Sequence, residues 1–225
     1  MEALEKIIPN VMNKLGELWT SCGQTFYMVV FSGIISFFLG ILIGSVLTVT
    51  APGKIMANKA VYTIIDKVIN VFRSIPFIIL LAALIPLTRM VVGTAIGVKG
   101  AILPLIFGTV PFFSRQVESA LAEVDNGLIE AAQSMGASPL EILWSVYLRE
   151  SIPGIVRATT ITLVSLIGLT AMAGAVGGGG LGDFAIRYGH QRNQVDTTYV
   201  TVIILLSAVS IIQSVGNIII KKTTH

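Results

Sequence analysis

Charge is scarce in this sequence. Asp, Glu, Lys and Arg make up 12% of its 225 residues, against about 25% in an ordinary soluble domain. A water-soluble fold of this length needs far more polar surface, so a soluble enzyme or binding module is excluded first. Cys22 is the single cysteine, so no internal disulfide can form. The histidines are His190 and His225. With one cysteine they offer no spacing that would hold zinc, and no metal or other cofactor is expected in the chain. The net charge is +3, with no basic cluster. That gives nothing for nucleic acid to bind, and the Lys and Arg residues read as flanks of membrane segments. No G-x-x-x-x-G-K-[ST] occurs, so any ATP-driven work requires a second polypeptide. No nucleophile, metal cluster or paired acid and base stands out, so no catalytic residue is assigned.

What the chain has is apolar length. Hydrophobic residues make up 54% of it, with mean hydropathy +0.85. A membrane helix needs about 20 mostly apolar residues. Charge-sparse windows at Tyr27–Leu47, Val68–Thr88, Gly100–Ser114, Ala158–Gly182 and Thr197–Ile220 predict five spans. The second contains Arg73, which reads as a residue snorkelling near one face, and Pro76, which loosens the helix. The third has only 15 uncharged residues, about 22 Å of helix, so its ends must snorkel to reach both interfaces. Glu2 and Glu5, and the length of the first apolar run, argue against a signal peptide. The fold class is an all-α membrane protein, a single transmembrane domain over residues 1–225.

An odd number of spans puts the termini on opposite sides. With the C-terminus inside, the cytoplasmic segments carry 9 Lys and Arg and the outer ones 6. The positive-inside rule therefore places the N-terminus outside and the C-terminus in the cytoplasm. Gly40 and Gly44 form a G-x-x-x-G, read as internal packing rather than a dimer face. Gly177, Gly179 and Gly182 satisfy G-x-G-x-x-G, but they end a membrane span and lack a preceding strand, so a nucleotide site is rejected.

A polar stretch, about residues 125–152, interrupts the lipid-like sequence. Asp125 or Asn126 caps a short helix over Leu128–Met135, and Gly136 stops it. Ser138-Pro139-Leu140-Glu141 is a capping box with proline at the first helical position. In the second helix Leu140, Leu143, Trp144 and Tyr147 are predicted to share a face. The local pattern predicts a cytoplasmic helix-turn-helix. It fits an interfacial linker and a docking element equally well.

Glu130-Ala131-Ala132 followed by Gly136, and then Ile152-Pro153, resembles the E-A-A-x-x-x-G signature loop of ABC importer permeases. The family usually has Leu-Pro where this chain has Ile-Pro. The stretches "RSIPFIILLAALIPLTRMVVGTAIG", "VESALAEVDNGLIEAAQSMGAS" and "AMAGAVGGGGLGDFAIRYGH" are similar to those of methionine importer permeases, and the likeness covers nearly the whole chain. The resemblance implies a bacterial cell-membrane permease that pairs with a second copy of itself in the lipid bilayer. It implies two copies of a P-loop ATPase, which dock on Glu130, Ala131, Ala132 and Gly136. It also implies an extracytoplasmic binding protein that delivers methionine, with the D-enantiomer and related amino acids left open. By the same resemblance Met172 is a candidate gate, and Thr162 and Ser165 are candidates for lining the path. A small secondary amino-acid transporter is the rival class. Such proteins often show internal repeats, and no repeat is evident here.

Overall fold

The structure is a computed structural model that describes residues 7–223. Every regular element among them is helical. In chain order they are α1 (Pro9–Met12), α2 (Leu15–Thr50), α3 (Lys59–Ser74), α4 (Phe77–Ala83), α5 (Ile85–Val92), α6 (Gly97–Ala122), α7 (Asn126–Ser134), α8 (Pro139–Ile142), α9 (Ile152–Ala173), α10 (Gly180–Phe184) and α11 (Val195–Thr223). A π-helical turn at Leu143–Tyr147 carries α8 on to Leu148–Glu150, another at Ala185–His190 continues α10, and Gly174–Gly178 follows α9 but kinks, with non-helical backbone at Val176 and Gly177. Glu2, Glu5, Lys6 and His225 lie outside the described residues.

Among the described residues four helices are long and apolar enough to cross a membrane: α2, α6, α9 with its continuation to Gly178, and α11. At 1.5 Å per residue they reach roughly 39–54 Å, more than the ~30 Å hydrocarbon core. Two expectations change here. The third predicted span is not a short 15-residue crossing, because α6 runs 26 residues and takes in Arg115 and Glu118. Arg115 bonds to Asp66 and Glu118, so its charge is compensated and the helix continues through it. The second predicted span is not one helix. Ile75, preceding a proline, adopts extended geometry (ψ 123°), and Pro76 has no N–H to donate, so α3 stops and α4 begins afresh. Pro86 opens α5 after a further break at Leu84, and Gly93 in the left-handed conformation (φ +81°) ends it. Arg73 lies exposed in the last turn of α3.

The chain divides into two compact units, and each long helix contributes to both. One unit contains Met1–Ile34, Pro76–Phe107 and Leu163–Ile212. Val11, Leu18, Leu181 and Phe184 form a buried cluster within it. The glycine run is pinned within it: Gln24 Oε1 accepts from the Gly180 amide at 2.7 Å and Thr25 Oγ1 from the Leu181 amide at 2.8 Å. The run turns at Gly177, Gly179 and Gly180, all with positive φ, and no strand precedes it among the described residues.

The other unit contains Ile35–Ile75, Gly108–Thr162 and Gln213–His225. Here the G-x-x-x-G packs inside the chain, as expected. A Cβ on Gly40 would strike the Phe113 ring, and one on Gly44 would stand 2.7 Å from the Ser114 carbonyl oxygen. A buried cluster runs from Phe113, Val117 and Leu121 on α6 through Val124, Ile129, Ala132, Ile142 and Tyr147 to Ala158 on α9. Full burial of a large apolar side chain is worth roughly 1.5–3 kcal/mol. The polar stretch is therefore seated on the helices that flank it.

Candidate coupling segment

Local chemistry sets both short helices of the polar stretch. The Asp125 carboxylate accepts from the Gly127 amide at 2.7 Å and caps α7. At its other end Gly136 is left-handed (φ +83°). The Gly136 amide donates to the Gln133 carbonyl, and that of Ala137 to Ala132, which satisfies two of the free carbonyls at the helix end. After this turn Ser138 Oγ accepts from the Glu141 amide, and the Glu141 carboxylate accepts from the Ser138 amide at 2.7 Å. That bond from the Ser138 amide holds the Glu141 carboxyl below the usual range. The capping box and Pro139 in the first turn match the sequence reading.

The four residues named from the sequence divide between two sides of this turn. Glu130 and Ala131 are exposed on α7, and Gly136 is exposed at its stop. Ala132 instead points into the chain's own core beside Ile129. The outer side of α7 also carries Leu128 and, at its end, Met135, which is 81% exposed. In the second short helix the predicted common face does not form. Leu140 and Trp144 are exposed, Trp144 at 69%, whereas Tyr147 is fully buried. The π turn inserts one extra residue between Leu143 and Tyr147 and rotates the rest of the helix. Burial pushes the Tyr147 phenol up from its ordinary value.

The sequence reading missed how firmly the segment is fastened. Ser151 Oγ, buried, donates to the Ala120 carbonyl at 3.1 Å. A Cβ on Gly154 would come within 2.9 Å of Ala120 Cβ. Lys54 Nζ donates to Asn126 Oδ1 at 3.3 Å, and Ile55 packs on the buried cluster. Only Gly154, a small residue one turn before a predicted span, hinted at these contacts.

The path candidates lie on α9. Ser165 and Met172 are seven residues apart, close to two helical turns, and share an exposed face with Gly168 between them; Met172 is 41% exposed. Thr162 is buried away from that face, and its hydroxyl has no hydrogen-bond partner. No group of three or more His, Cys, Asp or Glu able to hold a metal occurs among the described residues.

Residues 36–224 match the family described as binding-protein-dependent transport system inner membrane component. The chain is 48% identical over 208 residues to the probable D-methionine transport system permease protein MetI of Vibrio cholerae, covering 92% of each. It is 45% identical over 215 residues to the methionine import system permease protein MetP of Bacillus subtilis, covering 96% of each. Its fold matches a chain of the inward-facing MetNI methionine ABC transporter with a TM-score of 0.92 at 43% identity, covering 95% of this chain and 99% of that one. A family match over residues 36–224, with relatives 45–48% identical over 92–96% of the chain, places the protein in the family of binding-protein-dependent inner-membrane permeases.

Proposed function

We propose that this chain is the membrane-spanning subunit of an ATP-driven methionine importer, and that α7 receives the push of a separate ATPase. The observation that carries this reading is the two-sidedness of α7. Ile129 and Ala132 lock one side into the core built on α6 and α9, while Leu128, Glu130, Ala131 and Met135 face outward. Exposed apolar residues on a rigid polar segment fit a partner surface, and the small Ala131 allows close approach. Hydrolysis belongs to the partner, because this sequence has no phosphate-binding loop. Two ATPase copies beneath two permease copies would draw the α7 helices together as they close, and would bias the spans towards the outward-open state. A binding protein would then hand over the amino acid on the outer side.

In this reading α3, α4 and α5 together make the second of five crossings. The N-terminus is outside and the C-terminus in the cytoplasm. Internal contacts support the number of crossings. Asn10 and Lys14 bond to Asp196 and Gln194, which gathers the N-terminal segment and the start of α11 at one end. Lys54 bonds to Asn126, which gathers the loop after α2 with α7. The exposed Ser165–Met172 face of α9 is the candidate path lining, with Met172, flexible and apolar, as its gate. Thr162 belongs to the packing behind that face.

Reconstitution tests the whole reading. The permease alone in vesicles should neither hydrolyse ATP nor accumulate methionine on a proton or sodium gradient. With ATPase and binding protein added, uptake should appear and should be lost in Glu130→Arg, which reverses the outward charge of α7. Gradient-driven accumulation by the permease alone would establish the secondary-transporter reading instead.

A further inference from the structure

The coupling segment touches two strands of a closed frame. On one side α6 leads directly into α7. On the other, the loop after α2 supports α7 through Lys54 and Ile55 and then starts α3. That loop is tightly built. The Met56 amide donates to the Val49 carbonyl and the Asn58 amide to the Thr50 carbonyl, and Asn58 Oδ1 caps α3 by accepting from the amides of Ala60 and Val61. At its far end α3 is not continued, because the helix breaks at Ile75–Pro76. Ile69 is its one buried residue among those described. Val61, Tyr62, Ile65 and Phe72 are half-buried beside it, and a polar contact adds to this apolar seat.

Arg115 supplies that contact. It lies seven residues before the end of α6, and its Nη2 donates to Asp66 Oδ1 at 2.5 Å and to Asn70 Oδ1 at 3.3 Å, both on α3. Its Nη1 donates to Glu118 Oε2 at 2.6 Å on its own helix. Asn70 Nδ2 completes the ring by donating to Asp66 Oδ2 at 3.1 Å. Among the described residues this is the one ion pair that joins two different helices. The three charged groups are each less than a third exposed, so water screens them less than a surface pair. The planar guanidinium suits the task, since one side chain addresses two carboxylates and an amide at fixed angles.

We infer that Arg115 is a positioning residue that closes the frame α6–α7–loop–α3 and makes α3 travel with the coupling segment. Without it, Asp66 and Glu118 lose the cation they share, and α3 keeps its apolar seat and its tether at Asn58 but loses its polar link to α6. The transport arm of this inference rests on the coupling reading above; its geometric arm does not.

Spin labels at Lys67→Cys on α3 and Gln133→Cys on α7, in a Cys22→Ser background, test it in the assembled importer in nanodiscs. With Arg115 intact the distance distribution should be single and narrow. Arg115→Met should broaden it and lower transport about tenfold, a moderate allosteric coupling, while ATP hydrolysis stimulated by the binding protein continues. Arg115→Lys, which satisfies one carboxylate at a time, should fall between the two in both readouts. A narrow distribution in Arg115→Met overturns the inference, and so does a broad one with normal transport. If Arg115→Met does not assemble, Asp66→Asn replaces it, since it keeps a hydrogen-bonding group and removes the charge. An unchanged distribution in that variant overturns the inference equally. Failure of the coupling reading would appear differently, as absent ATP-dependent uptake with Arg115 in place.

Discussion

Gly136 offers a perturbation whose cost the structure isolates. Its φ is +83°, and a Cβ built on it would meet nothing within 4 Å. Volume is therefore not at issue, and the penalty of any side chain is the left-handed backbone alone. For an ordinary L-residue that penalty is about 1–2 kcal/mol, and asparagine tolerates it better. If the chain relieves the strain by giving up the turn, the amide bonds of Gly136 and Ala137 to the last carbonyls of α7 go with it. The helix end carrying Met135 then no longer points one way. A loss of one or two kcal/mol is a factor of about 5–30 in the population of the proper turn. We expect ATPase affinity, measured by titrating the purified ATPase onto permease in nanodiscs, to fall in the order Gly, Asn, Ala, Val at position 136. The alanine variant should lie about 5–30-fold below the native chain. Insertion should be unchanged, because the residue touches no core. Equal affinity across the series would refute the reasoning, because the left-handed turn would then be irrelevant to docking. Equal loss for asparagine and valine would also refute it, since the effect would then not follow backbone strain.

Two further outcomes are expected. Ala131→Leu should leave the fold intact and weaken ATPase association, whereas Ala132→Leu should overpack the core at about 1–3 kcal/mol and lower thermal stability; stability loss from Ala131→Leu alone would invert the orientation of α7 described here. Single cysteines at Ser138 and Gln191 in a Cys22→Ser background should differ in intact cells, with an impermeant thiol reagent labelling position 191 and sparing 138. The reverse pattern would overturn both the orientation and the docking face.

The parts legible in the sequence were those that chemistry settles within a few residues. The Ser138–Glu141 capping box and the left-handed Gly136 need no knowledge of the rest of the chain. The facing of α7 was not legible, because Ala131 and Ala132 are identical in chemistry and only the core beneath chooses between them. The burial of Tyr147 was hidden for a different reason. A helical-periodicity argument assumes 3.6 residues per turn, and the π turn adds a residue. Counting uncharged residues shortened α6 by stopping at Arg115, since its counter-charge Asp66 lies 49 positions away on another helix. Pro76 was visible as a weak point in the second span. That it divides the crossing outright comes from its effect on Ile75 as well as from its own missing N–H.

The cluster that seats α7 has a consequence for how the protein is made. Its buried members all fall between Phe113 and Ala158, with help from Phe37, Ile41 and Ile55 earlier in the chain. None of these residues lies on α11. Contacts this close in sequence cost little loop-closure entropy and form early, and chains leave the ribosome N-terminus first. The outward side of α7 is thus set once the first turns of α9 have emerged, while α11 is still unmade. Protease protection of Arg149 in nascent chains stopped before Val195 would register it. In the function proposed above, a half-built permease would then already present the outer side of α7 to the ATPase, so the order of synthesis would permit the motor to be recruited before the membrane path is finished.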